Sequence, residues 1–364
     1  MADVKLTSVT KQFGDITALK NIDLEIKDKE FFVLLGPTGA GKTTMLRTVA
    51  GLEKPEEGDI FLDGNPVNDL VPAQRDVTFV FQYYTLYPNM TVRQNLEFPL
   101  RSKLRNYPEE EIQKKVEHAA KALRIEHLLD RRSTNLSGGE MQRVGIGRSI
   151  VRNPKVFLMD EPLSNLDAKL REAMRAELAH LHHDLGSTFF YVTHDQVEAM
   201  TMGDRIGILN EGKILQIGTP DEIYNTPETM FVAKFVGSPP INFLEAEIKE
   251  GNLVVSGGAM LCCLTEKQLD AVEKYKKPKI TLGIRPEDIE ITREERESNS
   301  FQCEIYFKQS MGAEDILNLK TDGLLLQAVA PPSMKTQVGE SIYANFDMAR
   351  SHLFDTETKK RLVF

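Results

Sequence analysis

Three short stretches of this 364-residue chain combine residue types that bind phosphate and activate water. The first, Gly36-Pro37-Thr38-Gly39-Ala40-Gly41-Lys42-Thr43, fits GxxxxGK[ST] at every fixed position. It follows the apolar run Phe31–Leu35 and opens a helical pattern, the context in which glycines let backbone N–H groups curl around phosphate oxygens. There Lys42 offers a point charge to the β- and γ-phosphates, and the Thr43 hydroxyl offers a ligand to Mg2+. The second stretch, Val156-Phe157-Leu158-Met159-Asp160, predicts a buried strand ending in a carboxylate, at the edge where open α/β sheets gather ligands. Asp160 would hold Mg2+ through water, and Glu161 is placed to polarise an attacking water. The third, Leu136-Ser137-Gly138-Gly139-Glu140, is another glycine-rich helix start. One fold already cradles phosphate at Gly36–Thr43, so a second anion-seeking helix N-terminus implies a second subunit.

His194 ends the apolar run Phe189–Thr193, on the edge where phosphates would sit, and a neutral imidazole there could donate to a γ-phosphate. Gln82 follows the strand-like Val77–Phe81 and could reach Mg2+ or water as a neutral ligand. Ser137 and Glu140 also form a capping box, Ser at the N-cap and Glu three residues on. Gly138 and Gly139 each weaken a helix by about 1 kcal/mol relative to alanine, yet they bare N–H groups to an incoming anion. His180, His182 and His183 suggest a metal cluster, but His180 and His183 lie opposite the leucine stripe of their helix and read as a solvated surface.

These groups need elements to position them. Val4–Thr7, Ile22–Ile26 and Phe31–Leu35 read as strands, and a short helix runs from Thr43 to about Ala50 with Gly51 closing it. Pro108 followed by Glu109, Glu110 and Glu111 predicts a helix start, with Ile112, Val116, Ala119 and Leu123 on one face. Between the strands at Val156–Met159 and Phe189–Val192, a stripe of Leu166, Leu170, Met174, Leu178, Leu181 and Leu185 predicts a helix ended by Gly186. Strands alternating with helices give a parallel sheet. The pattern breaks at Phe235–Pro240, which places a boundary between 1–235 and 236–364. Beyond it Glu250-Gly251-Asn252 reads as a hairpin tip. Phe301, Cys303, Ile305 and Phe307 alternate with polar neighbours, as do Ile342, Ala344 and Phe346, so the second region reads as a small β-domain of one or two barrels.

Composition narrows the class. A net charge of −9 argues against a nucleic-acid surface. Cys262, Cys263 and Cys303 form no CxxC pair and read as reduced thiols of a cytosolic protein. No secretory signal is expected at the N-terminus, and no apolar run approaches the ~20 residues that span a bilayer.

Taken in order and spacing, Gly36–Thr43, Gln82, Leu136–Glu140, Phe157–Glu161, Ser164-Asn165-Leu166-Asp167 and His194 resemble the ATP-binding-cassette (ABC) ATPases over about residues 3–235. The resemblance implies an α/β phosphate-loop NTPase core with an antiparallel β-subdomain and a helical signature subdomain at about 88–155. It implies nucleotide contacts along Gly36–Thr44, a Q-loop at Gln82, a signature at Ser137–Glu140 and a D-loop ending at Asp167. Phe13 sits where the family places an aromatic ring against adenine. Thr43, Gln82 and Asp160 match the family's Mg2+ site, and Lys42, Glu161, His194 and Gln82 its catalytic groups. In that family two ATP molecules are sandwiched in a dimer. Gly237–Leu244, Leu282–Asp288 and His352–Asp355 are similar to the regulatory domain of maltose-type sugar importers. They imply a C-terminal all-β, OB-like domain, two permease subunits, an external solute-binding protein, and a peripheral place on the cytoplasmic face of the inner membrane.

Two departures stand out. Glu140 replaces the usual glutamine of the signature; its charge would slow closure on a γ-phosphate unless it turns back to cap Ser137. Tyr83 and Tyr84 follow Gln82 where small residues are commoner, at the loop bordering the permease groove. A DNA-repair ATPase would need a long coiled coil between Lys42 and Ser137, a translation-factor relative a second cassette, and a GTPase an NKxD motif. Polyamine, sulfate or iron import remain alternatives to sugar.

Overall fold

A computed structural model describes residues 3–83, 86–102, 107–255, 261–321 and 323–363, so Tyr84 lies outside the described residues. The chain divides into two compact units, Met1–Asp221 and Glu222–Phe364. The first opens with strands β1 (Val4–Phe13), β2 (Ile16–Ile26) and β3 (Phe31–Leu35), then helix α1 (Lys42–Ala50). Strands β4 (Glu57–Leu62), β5 (Asn65–Pro66) and β6 (Val77–Val80) follow. A helical stretch holds α2 (Val92–Glu97), α3 (Glu109–Ala122) and α4 (Gly138–Ile150). The unit continues with β7 (Val156–Asp160), α5 (Ala168–Leu185), β8 (Thr188–Thr193), α6 (Gln196–Met202), β9 (Arg205–Asn210) and β10 (Lys213–Gly218).

Strands β3, β7 and β8 are buried at every position, as their unbroken apolar runs require of strands covered on both faces. They form the middle of a six-stranded sheet in the order β10-β9-β3-β8-β7-β6, parallel except for the β9–β10 hairpin. A second, antiparallel sheet runs β2-β1-β4-β5. Its apolar face shares a core with β3 and with Met45, Leu46 and Val49 of α1. Gly41 (φ 108°) and Gly51 (φ 76°) bracket α1 in left-handed conformations that suit glycine.

In the helical stretch, Ile112, Val116, Ala119 and Leu123 are buried as their spacing predicts. Gly147 of α4 permits close approach there: a Cβ would stand 2.8 Å from Leu96 and 3.1 Å from Leu123. Along α5 the leucine stripe buries Met174, Leu178 and Leu181, and Gly186 (φ 54°) ends the helix. His180 and His183 are exposed, whereas His182 packs edge-on against Phe31 and Phe189 and meets the Lys29 carbonyl at 3.0 Å. Among the described residues no His, Cys, Asp or Glu cluster could hold a metal by itself.

The second unit begins within α7 (Pro220–Asn225) and includes α8 (Met230–Phe235). The sequence reading set this division at 235/236. Arg285 explains the earlier one: its guanidinium donates to the carbonyls of Tyr224 and Val236, tying this segment to the β-domain. There follow β11 (Asn242–Lys249), β12 (Asn252–Val255), β13 (Leu261–Cys263), α9 (Glu266–Tyr275), β14 (Lys279–Ile284) and β15 (Ile289–Thr292). The remainder is β16 (Ser300–Ser310), β17 (Asp315–Thr321), β18 (Leu324–Ala330), β19 (Ser341–Phe346) and β20 (His352–Asp355).

These strands form two five-stranded sheets, β13-β12-β11-β14-β20 and β15-β19-β16-β17-β18, around one apolar core. Glu250-Gly251 is a two-residue hairpin loop with both residues at positive φ. None of the three cysteines is in a disulfide. Two features differ from the strand alternation. Phe307 is exposed, because a register shift between Ile305 and Phe307 turns the strand over. And α9, begun by a Thr265–Gln268 capping box, inserts one helix among the strands.

Asn242 joins the two sheets. Its amide donates to Ile284 O on β14 (3.2 Å) and Gln327 O on β18 (2.8 Å) and accepts from Gln327 N (2.7 Å). Asn242→Ala leaves both Gln327 backbone groups unpaired, and we expect a loss of about 1–3 kcal/mol. Urea unfolding of the full chain measures it; an unchanged midpoint would mean that water replaces the amide.

Candidate active site

The parallel register decides which side chains meet. Leu35 pairs with Thr193, Val192 with Asp160, and Met159 with Val80, so four neighbouring strands end nearly level. Their next residues are the phosphate loop from Gly36, Glu161, His194, and the loop carrying Gln82. The cleft above them is about 540 Å3 and is lined by Thr38, Gly39, Gly41, Lys42, Thr43, Thr44, Gln82, Glu161 and His194.

Glu161 is the hub. Its carboxylate lies 3.4 Å from Lys42 Nζ, 2.9 Å from His194 Nδ1 and 3.5 Å from Gln82 Nε2. It takes a left-handed conformation (φ 44°), uncommon outside glycine. Two bonds hold that turn: Glu161 N donates to Val192 O at 2.9 Å, and Ser164 Oγ donates to Glu161 O at 2.9 Å. Asn165 Nδ2 then donates to Gln82 O at 2.8 Å, which fixes the glutamine loop beside it.

Lys42, 5% exposed, donates to the carbonyls of Gly36 (2.9 Å) and Pro37 (3.0 Å). Its charge is therefore held against the carbonyls of the loop itself. Gly36 admits no side chain, since a Cβ would stand 2.2 Å from Leu209 O. Ala40 is buried, and its carbonyl accepts from Gly212 N at 3.0 Å.

Thr43 Oγ1 donates to Asp160 Oδ1 at 2.9 Å. Asp160 is 6% exposed, and burial, with the neighbouring Glu161 charge, holds its carboxyl above the usual range despite the Thr43 bond. A buried carboxylate beside a hydroxyl is a hard-oxygen donor set that a small divalent cation would relieve. Thr43 and Asp160 therefore fit Mg2+, with Gln82 on the same cleft.

Other expected residues fall elsewhere. Ser137, Gly138, Gly139 and Glu140 begin α4 and do not line this cleft. Glu140 turns back: its carboxylate accepts from Ser137 N (2.7 Å) and Ser137 Oγ (2.8 Å), bonds that hold it below the usual carboxylate range. Gly139 is buried, and a Cβ there would meet Leu170 of α5 at 2.3 Å, so its small size serves packing as well as access. Asp167 is the N-cap of α5, accepting from Leu170 N at 3.0 Å. Phe13 ends β1, 45% exposed, with Lys11 Nζ over its ring at 4.9 Å, and its strand partner Ile16 lines the cleft. Tyr83 is 72% exposed.

Sequence reading missed one wall of the cleft and one tie. The wall is Ile16, Thr17, Ala18 and Lys20 of β2 with the Glu211-Gly212 turn. Lys20 N donates to Gly212 O at 2.8 Å, and a Cβ on Gly212 would stand 2.6 Å from Ala18 O. The turn signal Asn210-Glu211-Gly212 was visible, but its meeting with β2 is a long-range event. The tie is Arg171, which reaches Leu166 O (3.1 Å) and Asp195 Oδ2 (3.3 Å) and so links the Ser164–Asp167 segment to the turn after His194.

Because its folded pKa is raised, Asp160 contributes stability that is full below the ordinary carboxylate pKa and lost as pH rises through the raised value. Asp160→Asn should therefore raise the nucleotide-free melting temperature at neutral pH and flatten its acid-side pH dependence, while ATP hydrolysis falls. Differential scanning fluorimetry across pH tests this; a lower melting temperature at pH 7 would show that the carboxylate is stabilising there.

Comparison with known proteins identifies the family. The family described as "ABC transporter" matches residues 19–164, and "MalK OB fold domain" matches residues 237–289. The chain is 45% identical to a trehalose/maltose import ATP-binding protein of Thermococcus litoralis, over 100% of both chains. It is also 45% identical to an oligosaccharides import ATP-binding protein of Bacillus subtilis, again over 100% of both. Among solved structures it resembles a dimeric post-hydrolysis ATP-binding cassette bound to ADP and Pi, with 36% identity and TM-score 0.53, over 60% of this chain and 98% of that one. With full-length relatives at this identity and the cassette's phosphate loop, carboxylates and histidine on one sheet edge, the chain belongs to the ABC transporter family, as an ATP-hydrolysing import subunit with a MalK-type OB-fold domain.

Proposed function

We propose that two copies of this chain sandwich two ATP molecules and hydrolyse them to drive sugar or oligosaccharide uptake through two permease subunits. The observation that carries the chemistry is Glu161, held between Lys42 and His194 at the end of β7. Lys42 swings from its carbonyl partners to the terminal phosphates, and the backbone N–H groups of Gly39–Thr43 surround them. Glu161 then accepts the proton of the attacking water, and His194, bonded to it, is positioned to donate to the γ-phosphate. Mg2+, when bound at Thr43 and Asp160, supplies charge neutralisation to the phosphates. Gln82, tied to Ser164 and Asn165, carries the difference between nucleotide states towards the exposed Tyr83.

Dimerisation is supported by the place of Ser137–Gly139. This capped helix start presents an exposed Ser137 and Gly138 away from its own chain's cleft, free to meet nucleotide held by a second copy. Glu140, folded back on Ser137, keeps its charge in the cap. Uptake of sugar is supported by the relatives named for trehalose/maltose and oligosaccharides; a further relative, of a Ruegeria species, is named for sn-glycerol-3-phosphate and is 44% identical. The subunit would work at the cytoplasmic face of the inner membrane, with an external binding protein delivering substrate to the complex. No helix among the described residues is long and apolar enough to cross a membrane.

Glu161→Gln should lower turnover by ~10²–10⁴ with ATP still bound; near-normal turnover in that variant would remove Glu161 from the base role. Specific activity should also rise with subunit concentration, since the site needs a second copy; constant activity through dilution to monomer would rule out the shared site. Permeases recovered with the tagged chain, assayed for uptake in vesicles, test the substrate class: transport of a polyamine, sulfate or iron rather than sugar would overturn it.

A further inference from the structure

The second unit contains a cleft of about 580 Å3 where β20 begins beside the end of β14. His352 lines it, is 7% exposed, and makes no hydrogen bond through its imidazole among the described residues. Buried polar side chains ordinarily find partners within the fold. The His352 imidazole instead opens onto the cleft, where a group from outside the chain can reach it.

Two guanidinium groups flank it. Arg285 is 2% exposed; its Nη atoms donate to Val236 O (2.9 Å) and Tyr224 O (2.6 Å), its plane lies over the Tyr224 ring at 3.6 Å, and its Nε has no partner. Arg361 lines the same cleft, its Nε is likewise buried without a partner, and the Glu228 carboxylate is the acidic charge that acts on it. Burial, then the charges of Arg361 and Arg285, hold His352 down to about 4, so the ring is neutral and offers one N–H. Carboxylates also line the cleft, but both are engaged: Asp288 accepts from Arg350 at 3.1 Å, and Glu287 accepts from the Tyr224 hydroxyl.

We propose that this cleft binds a phosphate-bearing small molecule, its anion held by Arg361 and His352 in the field of Arg285. Arginine suits phosphate because its planar donors meet two oxygens at once. An anion here answers the donors that the fold leaves unmatched, and Arg285, whose Nη groups are committed, contributes charge rather than contacts. The volume lies in the roughly 300–1,000 Å3 range of small-ligand sites, which leaves room for a sugar-sized group beyond the phosphate. The site is separate from the phosphate loop, which lies in the other unit.

The test uses the full chain with its phosphate loop filled by Mg2+ and a non-hydrolysable ATP analogue. Inorganic phosphate and glucose 6-phosphate are then titrated calorimetrically. We expect saturable binding with a millimolar or lower Kd, weakened about tenfold or more by Arg361→Gln and by His352→Gln. Glu287→Gln, which removes a lining negative charge, should tighten it, and this variant with Arg361→Gln decides the matter should His352→Gln fail to fold. Tighter binding of the ester identifies a phosphorylated metabolite as the ligand, and equal binding identifies the free ion; both support the site. No saturable binding, or a Kd unchanged by Arg361→Gln and Glu287→Gln, would overturn it.

Discussion

Level strand ends are the constraint on which the first unit depends. Parallel pairing of β3, β8, β7 and β6 brings Gly36, His194, Glu161 and the Gln82 loop to one edge, although they are spread over some 160 positions of the chain. A slip of one residue in any pair would turn an alternate set of side chains to that edge and send Asp160 or Thr193 to the wrong face. The register is protected by burial: Phe31, Phe157 and Phe189 pack together on one side of the sheet, and Leu34, Leu158 and Phe190 belong to the core on the other. Catalytic geometry here is a by-product of hydrophobic packing that leaves no freedom in register.

The same edge concentrates unfavourable features. Asp160 is buried with a raised pKa, Glu161 occupies a left-handed turn, and Lys42 is nearly inaccessible. Such features destabilise a resting fold, by about 1–3 kcal/mol for a strained residue, and persist where function needs them. Each is compensated locally: Thr43 for Asp160, Val192 and Ser164 for the Glu161 turn, and two carbonyls plus Glu161 for Lys42. Asn165 and Arg171 tie the segments around the cleft to these same residues.

Legibility varied with the range of the interaction. The phosphate loop, the carboxylate pair, the capping box and the leucine stripe of α5 are local patterns, and all appear where their spacing puts them. Phe307 and α9 were misread because a bulge breaks a period of two without changing composition, and because a ten-residue helix gives few repeats. Phe13, placed by resemblance, is the exposed strand partner of Ile16, which lines the cleft. The meeting of the Glu211-Gly212 turn with Ala18 and Ala40 comes only from folding.

The sequence alone determined the chemistry: glycines that bare N–H groups, a lysine and a threonine in the loop after one apolar run, and two carboxylates and a histidine at the ends of others. Spacing within a few residues encodes these, because caps, turns and strand ends are short-range. Tertiary structure decided which groups meet, namely Glu161 with Lys42 and His194, Asn165 with the Gln82 carbonyl, and Arg285 and Arg361 beside His352. Those pairings depend on strand register and on which faces bury together, and no local pattern carries that information.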